Sequence, residues 1–195
     1  MSCFLGCINE YDGGFYIDKA NVVSRDPCEP ANFNKQNVGI YRIQVHGPDL
    51  LSLDAVPSHD MGRQIRMAEK HNLPLKIAVM IGNHPAMAMF AATPLDYDES
   101  EFAYAARMMG SPLQLTTSGN GMDILANAEM VIEAEMINGK RIHGGRSVSF
   151  RGPTVSESGN STSSVSPVSP IAINRYSRVF TSGARGGRST TLCWV

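Results

Sequence analysis

Apolar runs of strand length alternate with helix-patterned stretches from residue 38 to residue 137, and this alternation constrains the fold more than any other feature. VGIYRIQVHG (residues 38–47) has a period of two. Ile40, Arg42 and Gln44 fall on one face and Tyr41, Ile43 and Val45 on the other, which predicts one strand. SHDMGRQIRMAEKHN places Met61, Ile65 and Ala68 at helical spacing, and Asn72 and Pro74 mark its end. LPLKIAVMIG, an apolar run closed by Gly82, predicts a buried strand. HPAMAMFAATP predicts a short helix stopped by Pro94. DESEFAYAARMMG predicts a helix with an acidic first turn that closes at Gly110. PLQLTTSG and AEMVIEAEMI supply two further strands. Elements mixed in this order predict an α+β or α/β domain.

That pattern stops near His143. All 11 Met residues precede it, whereas the segment from Gly144 onward holds 12 Ser, six Arg, a single Glu and neither Lys nor Asp. Residues 144–195 therefore carry about +5 and residues 1–143 about −6. By composition alone such a tail reads as a disordered linker or a nucleic-acid arm. The formal net charge of −1 gives no reason to expect nucleic acid or an anionic membrane as a partner. No stretch is long and apolar enough to span a bilayer, and the first residues lack the basic and apolar regions of a signal peptide. Cys3, Cys7, Cys28 and Cys193 form no CxxC pair. This suits reduced thiols in a cytoplasm and argues against structural zinc.

Several side chains in the body bear chemistry, and each has an ordinary structural reading. Asn37 suits a turn at the head of a strand. Arg42 suits a solvated strand position or a polar pocket beside Ile40. His59 suits a helix cap or the surface, and Glu101 suits the first turn of a helix. Together, Asn37, His59 and Glu101 form a set of one amide oxygen, one imidazole and one carboxylate. A mixed set of this kind suits Mn²⁺ or Mg²⁺ better than zinc. No P-loop, GxGxxG or GxSxG is present.

The segments GGFYIDKANVVSRDP, NVGIYRIQ, SHDMGRQIRMAEKHNLPLKIAVMIGNHPAM, AATPL, DESEFAYAARMMGSPLQL and NAEMVIEAEM, in this order, resemble the UbiD family of decarboxylases. The resemblance implies a flavin-binding split β-barrel of α+β class over residues 1–143. It implies prenylated FMN as cofactor, with its phosphate bound through a divalent metal (Mn²⁺ ahead of Mg²⁺) held by Asn37, His59 and Glu101, and K⁺ as a further candidate ion. Ala91, Ala92, Thr93 and Pro94 fall on the family's cofactor-contacting loop, and Arg42 falls in its catalytic network. The implied reaction is reversible, non-oxidative decarboxylation of an aromatic acid, with the hydroxybenzoate branch favoured by NEYDGGFYID and VSRDP and ubiquinone-precursor decarboxylation as the alternative within the family. Implied partners are a flavin prenyltransferase and further copies of the same chain. A non-catalytic flavin- or metal-binding remnant, a pseudogene product without function and an independent flavin reductase are the competing readings.

Two departures from the family pattern follow. The resemblance begins almost at the barrel, so the family's N-terminal domain is expected to be missing. The family continues RIHEGPFGE, with two glutamates at the active site, where this chain reads RIHGGRSVS. The genetic code links the two: read two bases later, GGRSVSFRGPTV can encode GPFGEFPGSYS, SPIAINRYSRVF can encode SHRNKPLFESL, and GGRSTTLCWV can encode WTEHDTLLG. All three are family-like and in family order, so the loss of one base at codon 144 is expected. Residues 144–195 then form a frameshifted, disordered tail. Gly144 and Ser149 stand where glutamates would, and the chain as written is expected to be inactive and poorly folded.

Overall fold

A computed structural model of the chain describes residues 5–6, 14–17, 19–143 and 167–177. Strands β1 (Leu5–Gly6), β2 (Phe15–Ile17), β3 (Asn21–Arg25), β4 (Gln36–Ile40), β5 (Arg42–Val45) and β6 (Leu50–Asp54) come first. Helix α1 (Asp60–His71), strand β7 (Lys76–Ile81) and helices α2 (Pro85–Ala91) and α3 (Glu101–Met109) follow. Strands β8 (Leu115–Thr117), β9 (Asp123–Leu125), β10 (Met130–Met136), β11 (Ile142–His143) and β12 (Pro167–Ser177) complete the order. β8 and β9 form a separate hairpin. The other strands make one antiparallel sheet, ordered β1-β2-β5-β6-β12-β10-β7-β3-β4, with β11 beside β12.

The connectivity dictates the shape of this sheet. β4 lies at one edge and β5 third from the opposite edge, yet Tyr41 alone joins them. One linking residue lets the flanking Cα atoms separate by at most about 7 Å. The sheet must therefore curl until its ends approach, as a half-barrel does. The α+β expectation holds. The single strand expected over residues 38–47 does not, because the backbone turns a corner at Tyr41 and its halves pair with different partners. Val38 pairs with Val23 on β3, whereas Ile43 pairs with Leu53 on β6 and Ile17 on β2. Gly39 makes room for the corner: a Cβ there would lie 2.5 Å from Tyr41 Cε2.

Two apolar cores occupy the two faces of the sheet. Ile77, Val79 and Ile81 of β7 pack in the core that holds Met61, Ile65 and Ala68 of α1. Ala78 and Met80 of the same strand pack with Met87 of α2 and Phe102 and Ala105 of α3. A strand covered on both faces leaves no position for polar alternation. That is why LPLKIAVMIG is a continuous apolar run. α1 ends where Asn72 and Pro74 predict, with Asn72 in the left-handed region (φ 49°) and the Leu73 N–H donating to the Ala68 carbonyl at 2.9 Å. α3 ends at Gly110, φ 62°. The strands Phe15–Ile17, Asn21–Arg25, Leu50–Asp54 and Asp123–Leu125 are additions to the sequence reading.

The expectation of a disordered tail over 144–195 fails for residues 167–177. They form β12, in the middle of the sheet between β6 and β10. Without that strand, β6 and β10 would each present a row of unpaired backbone groups. Ile171 is fully buried in the α1-side core, and its neighbours Ser169 and Pro170 are buried too. Pro170 lacks an N–H, but its carbonyl accepts from the Ile137 N–H at 3.0 Å. The composition of the tail conceals PIAI, a segment apolar enough to fill this slot. Gly144, Ser149 and the rest of the tail lie outside the described residues. Among the described residues, no helix is long and apolar enough to cross a membrane.

Candidate active site

Four element ends converge on a cavity of about 540 Å³. The end of β4 and its corner supply residues 37–41, the start of α1 supplies 58–60, the end of α2 supplies 91–95, and the start of α3 supplies Glu101. Asn37, His59, Glu101, Ala91, Ala92, Thr93 and Pro94 all line it. Arg42 does not. It opens β5 on the far side of the corner, with its guanidinium half-exposed and 3.9 Å from the Asp54 carboxylate, its cross-strand partner.

Glu101 is buried at the first turn of α3, and one of its carboxylate oxygens, Oε2, has no hydrogen-bond partner. Burial pushes its pKa up to about 7. Its own backbone N–H and that of Val38 oppose the shift, and the nearby Asp60 charge adds to it. An unpartnered carboxylate oxygen in a buried position is costly unless something positive meets it.

Asn37 is nearly buried on β4. Its side-chain Nδ2 donates to Ser24 Oγ at 3.3 Å, across the strand pair, and to Tyr41 Oη at 3.2 Å. Both amide hydrogens are thereby engaged, and the carbonyl oxygen is left for another partner. His59 occupies the N-cap position of α1, but its exposed imidazole makes no capping hydrogen bond. The ring is therefore available to the cavity. Its placement is fixed by the packing of the helix start: a Cβ on Gly62 would strike the Val56 carbonyl oxygen and lie 2.8 Å from Pro57 Cα.

The loop after α2 is held by local bonds. Thr93 Oγ1 donates to the Met89 carbonyl at 2.8 Å, and the Tyr97 hydroxyl donates to Asp26 at 2.7 Å. The Arg63 guanidinium stacks on the Tyr97 ring at 3.8 Å. The sequence reading missed Tyr41 and Asp60 as cavity residues. The signal for Tyr41 was the NVGIY spacing, a glycine two residues before an aromatic ring. Asp60 adjoins His59, and burial raises its carboxyl pKa while Arg63 and His59 hold it down. Chemically, the cavity offers an amide oxygen, an imidazole and a carboxylate, a set suited to a hard divalent cation. Among the described residues no three His, Cys, Asp or Glu side chains cluster, so a site here depends on the Asn37 amide.

The curled antiparallel sheet is a fold shared with solved UbiD-class enzymes. The family model for UbiD, described as the 3-octaprenyl-4-hydroxybenzoate carboxy-lyase Rift-related domain, matches residues 7–168, and the chain belongs to this family. It is 43% identical over 146 residues to a phenolic acid decarboxylase of Bacillus subtilis, which covers 74% of this chain and 31% of that protein. It is 44% identical over 135 residues to a phenolic acid decarboxylase of Escherichia coli O157:H7, covering 69% and 28%. The chain thus spans about a third of the length of the curated relatives it matches. The closed form of vanillic acid decarboxylase from Sedimentibacter hydroxybenzoicus is similar over 89% of this chain and 36% of that one, with a TM-score of 0.81 and 37% identity. A UbiD-class enzyme of Pelotomaculum thermopropionicum in complex with FMN is similar over 88% and 36%, with a TM-score of 0.74 and 27% identity.

Proposed function

We propose that this chain carries the cofactor- and metal-binding part of a decarboxylase acting on hydroxybenzoate-type aromatic acids, with prenylated FMN bound through Mn²⁺ or Mg²⁺. The observation that carries the reading is the convergence of Asn37, His59, Glu101 and residues 91–94 on one cavity. The buried, unpartnered Glu101 oxygen fits a cation, and so does the Asn37 amide, whose hydrogens are turned away to Ser24 and Tyr41. The substrate class is supported by the names of the relatives, phenolic acid and vanillic acid decarboxylases.

When bound, the modified flavin supplies the covalent chemistry that makes loss of CO₂ feasible. The residues of the chain hold and orient. Asn37, His59 and Glu101 would hold the cation, which would neutralise the cofactor phosphate, and residues 91–94, on the same cavity, would contact the cofactor. Arg42 is assigned to the substrate carboxylate or to neighbouring acids, a task suited to a guanidinium. Its position one residue beyond the cavity-lining Tyr41 supports this. In the scheme that the family resemblance implies, a glutamic acid returns the proton to carbon. Gly144 and Ser149 stand at the two positions where the family resemblance expects glutamates. As written, the chain therefore binds without turning over. Potassium as a second ion, a flavin prenyltransferase as cofactor source and self-association belong to the same proposal.

Two preparations test it, the chain as written and a frame-restored full-length version, each produced with a flavin prenyltransferase and soaked with FMN and Mn²⁺. Retained flavin absorbance in both, with CO₂ release from the restored version alone, is the expected outcome. A short chain that retains no flavin contradicts the binding reading, and CO₂ release by it contradicts the assignment of the proton donor.

A further inference from the structure

The Asn37 amide poses a problem that its own chemistry does not solve. An amide presents an oxygen or an NH₂ group of nearly the same shape, and only the oxygen attracts a cation. Something must fix which end faces the cavity. Ser24 Oγ and Tyr41 Oη receive the two amide hydrogens, yet a hydroxyl can donate as readily as it accepts. Tyr41 resolves the choice. Tyr41 Oη lies 3.2 Å from Asn37 Nδ2, in the cavity that Asp60 and Glu101 also line. Accepting from Nδ2 places a lone pair of Tyr41 Oη toward the amide.

We propose that Tyr41 is a positioning residue: its hydroxyl holds the Asn37 amide with the carbonyl oxygen toward the cavity, and Gly39 supplies the clearance the ring needs to sit there. This inference rests on the cation-binding reading of the cavity and adds the device that makes Asn37 a ligand. The Tyr41 ring is seated over Gly39 so closely that a Cβ would approach its Oη to 2.6 Å and its Cζ to 2.7 Å. The two residues therefore act as one unit, and the corner that curls the sheet is also the hinge on which the ligand is oriented.

The test uses the 195-residue chain, its Tyr41→Phe and Gly39→Ala variants and the double variant, with Mn²⁺ alone as probe. Phe keeps the ring and removes only the hydroxyl. Two readouts are taken: Mn²⁺ affinity by EPR titration, and hydrogen exchange of the Asn37 side-chain amide by NMR without metal. Supporting partners of metal ligands are worth about 10–100-fold in affinity. Tyr41→Phe is expected to weaken Mn²⁺ by that factor and to speed exchange of the Asn37 amide, with an unchanged unfolding midpoint. Gly39→Ala, which displaces the ring, is expected to do the same, and the double variant to lose little more than either single one. Parent-like affinity and exchange in Tyr41→Phe overturn the proposal while leaving the cation site intact. A parent chain that holds no Mn²⁺ overturns the cation site and this role together.

Discussion

At the scale of single residues, Glu101 couples the cavity to the stability of the domain. Its folded pKa of about 7 lies above the ordinary value of 4.5, so the folded state favours the protonated acid. In metal-free buffer, stability is full below about pH 4.5 and falls as pH rises through 7, by about 3 kcal/mol for a shift of that size. Urea unfolding in EDTA between pH 4 and pH 8 measures this slope, and Glu101→Gln is expected to abolish it. A parent chain equally stable at both ends would show that the carboxyl is not buried uncompensated. Gly62 is the second residue with a sharp consequence. Gly62→Ala drives a methyl into the backbone of residues 56–57, which yields less readily than the end of a flexible side chain. An over-packed contact of this kind costs about 1–3 kcal/mol. Thermal unfolding is expected to show that loss, along with weaker metal binding as His59 shifts.

At the scale of elements, the helices and the central strand were legible because their signals are local. Asn72 and Pro74 end α1, Gly110 ends α3, and an apolar run buried on both faces makes β7. The corner at Tyr41 was not legible. The alternation of Ile40, Arg42 and Gln44 continues through it, although the structure exposes the first two and buries the third. Which strand pairs with which is a long-range property, and no local period carries it. β12 was hidden for a different reason. A Ser- and Arg-rich composition spread over the tail masks a short apolar stretch whose role is set by the gap between β6 and β10. Ile171→Asp is expected to open that gap. Placing a charge in a fully buried position of the α1-side core should cost at least the 2–5 kcal/mol, roughly, of a large-to-small core substitution. If unfolding is unchanged, β12 contributes nothing to the sheet. Family resemblance named Asn37, His59, Glu101 and residues 91–94 of the cavity wall, but it missed Tyr41 and Asp60 and added Arg42, which lies outside, because the walls come from four element ends.

For the molecule as a whole, the curl of the sheet produces the site. Joining β4 to β5 through one residue brings the sheet ends together and sets Asn37 and Tyr41 beside the starts of α1 and α3. Chemistry and architecture therefore share residues: Gly39 and Tyr41 shape the barrel and orient a ligand, and Gly62 packs a helix and aims His59. The central claim is that Asn37, His59 and Glu101 hold one divalent cation. EPR titration of Mn²⁺ into the chain and into Asn37→Ala, His59→Ala and Glu101→Gln tests it most directly. The account predicts one bound Mn²⁺ in the parent and a loss of at least tenfold in affinity in each variant, in line with the removal of a ligand. Parent-like binding in all three would contradict it.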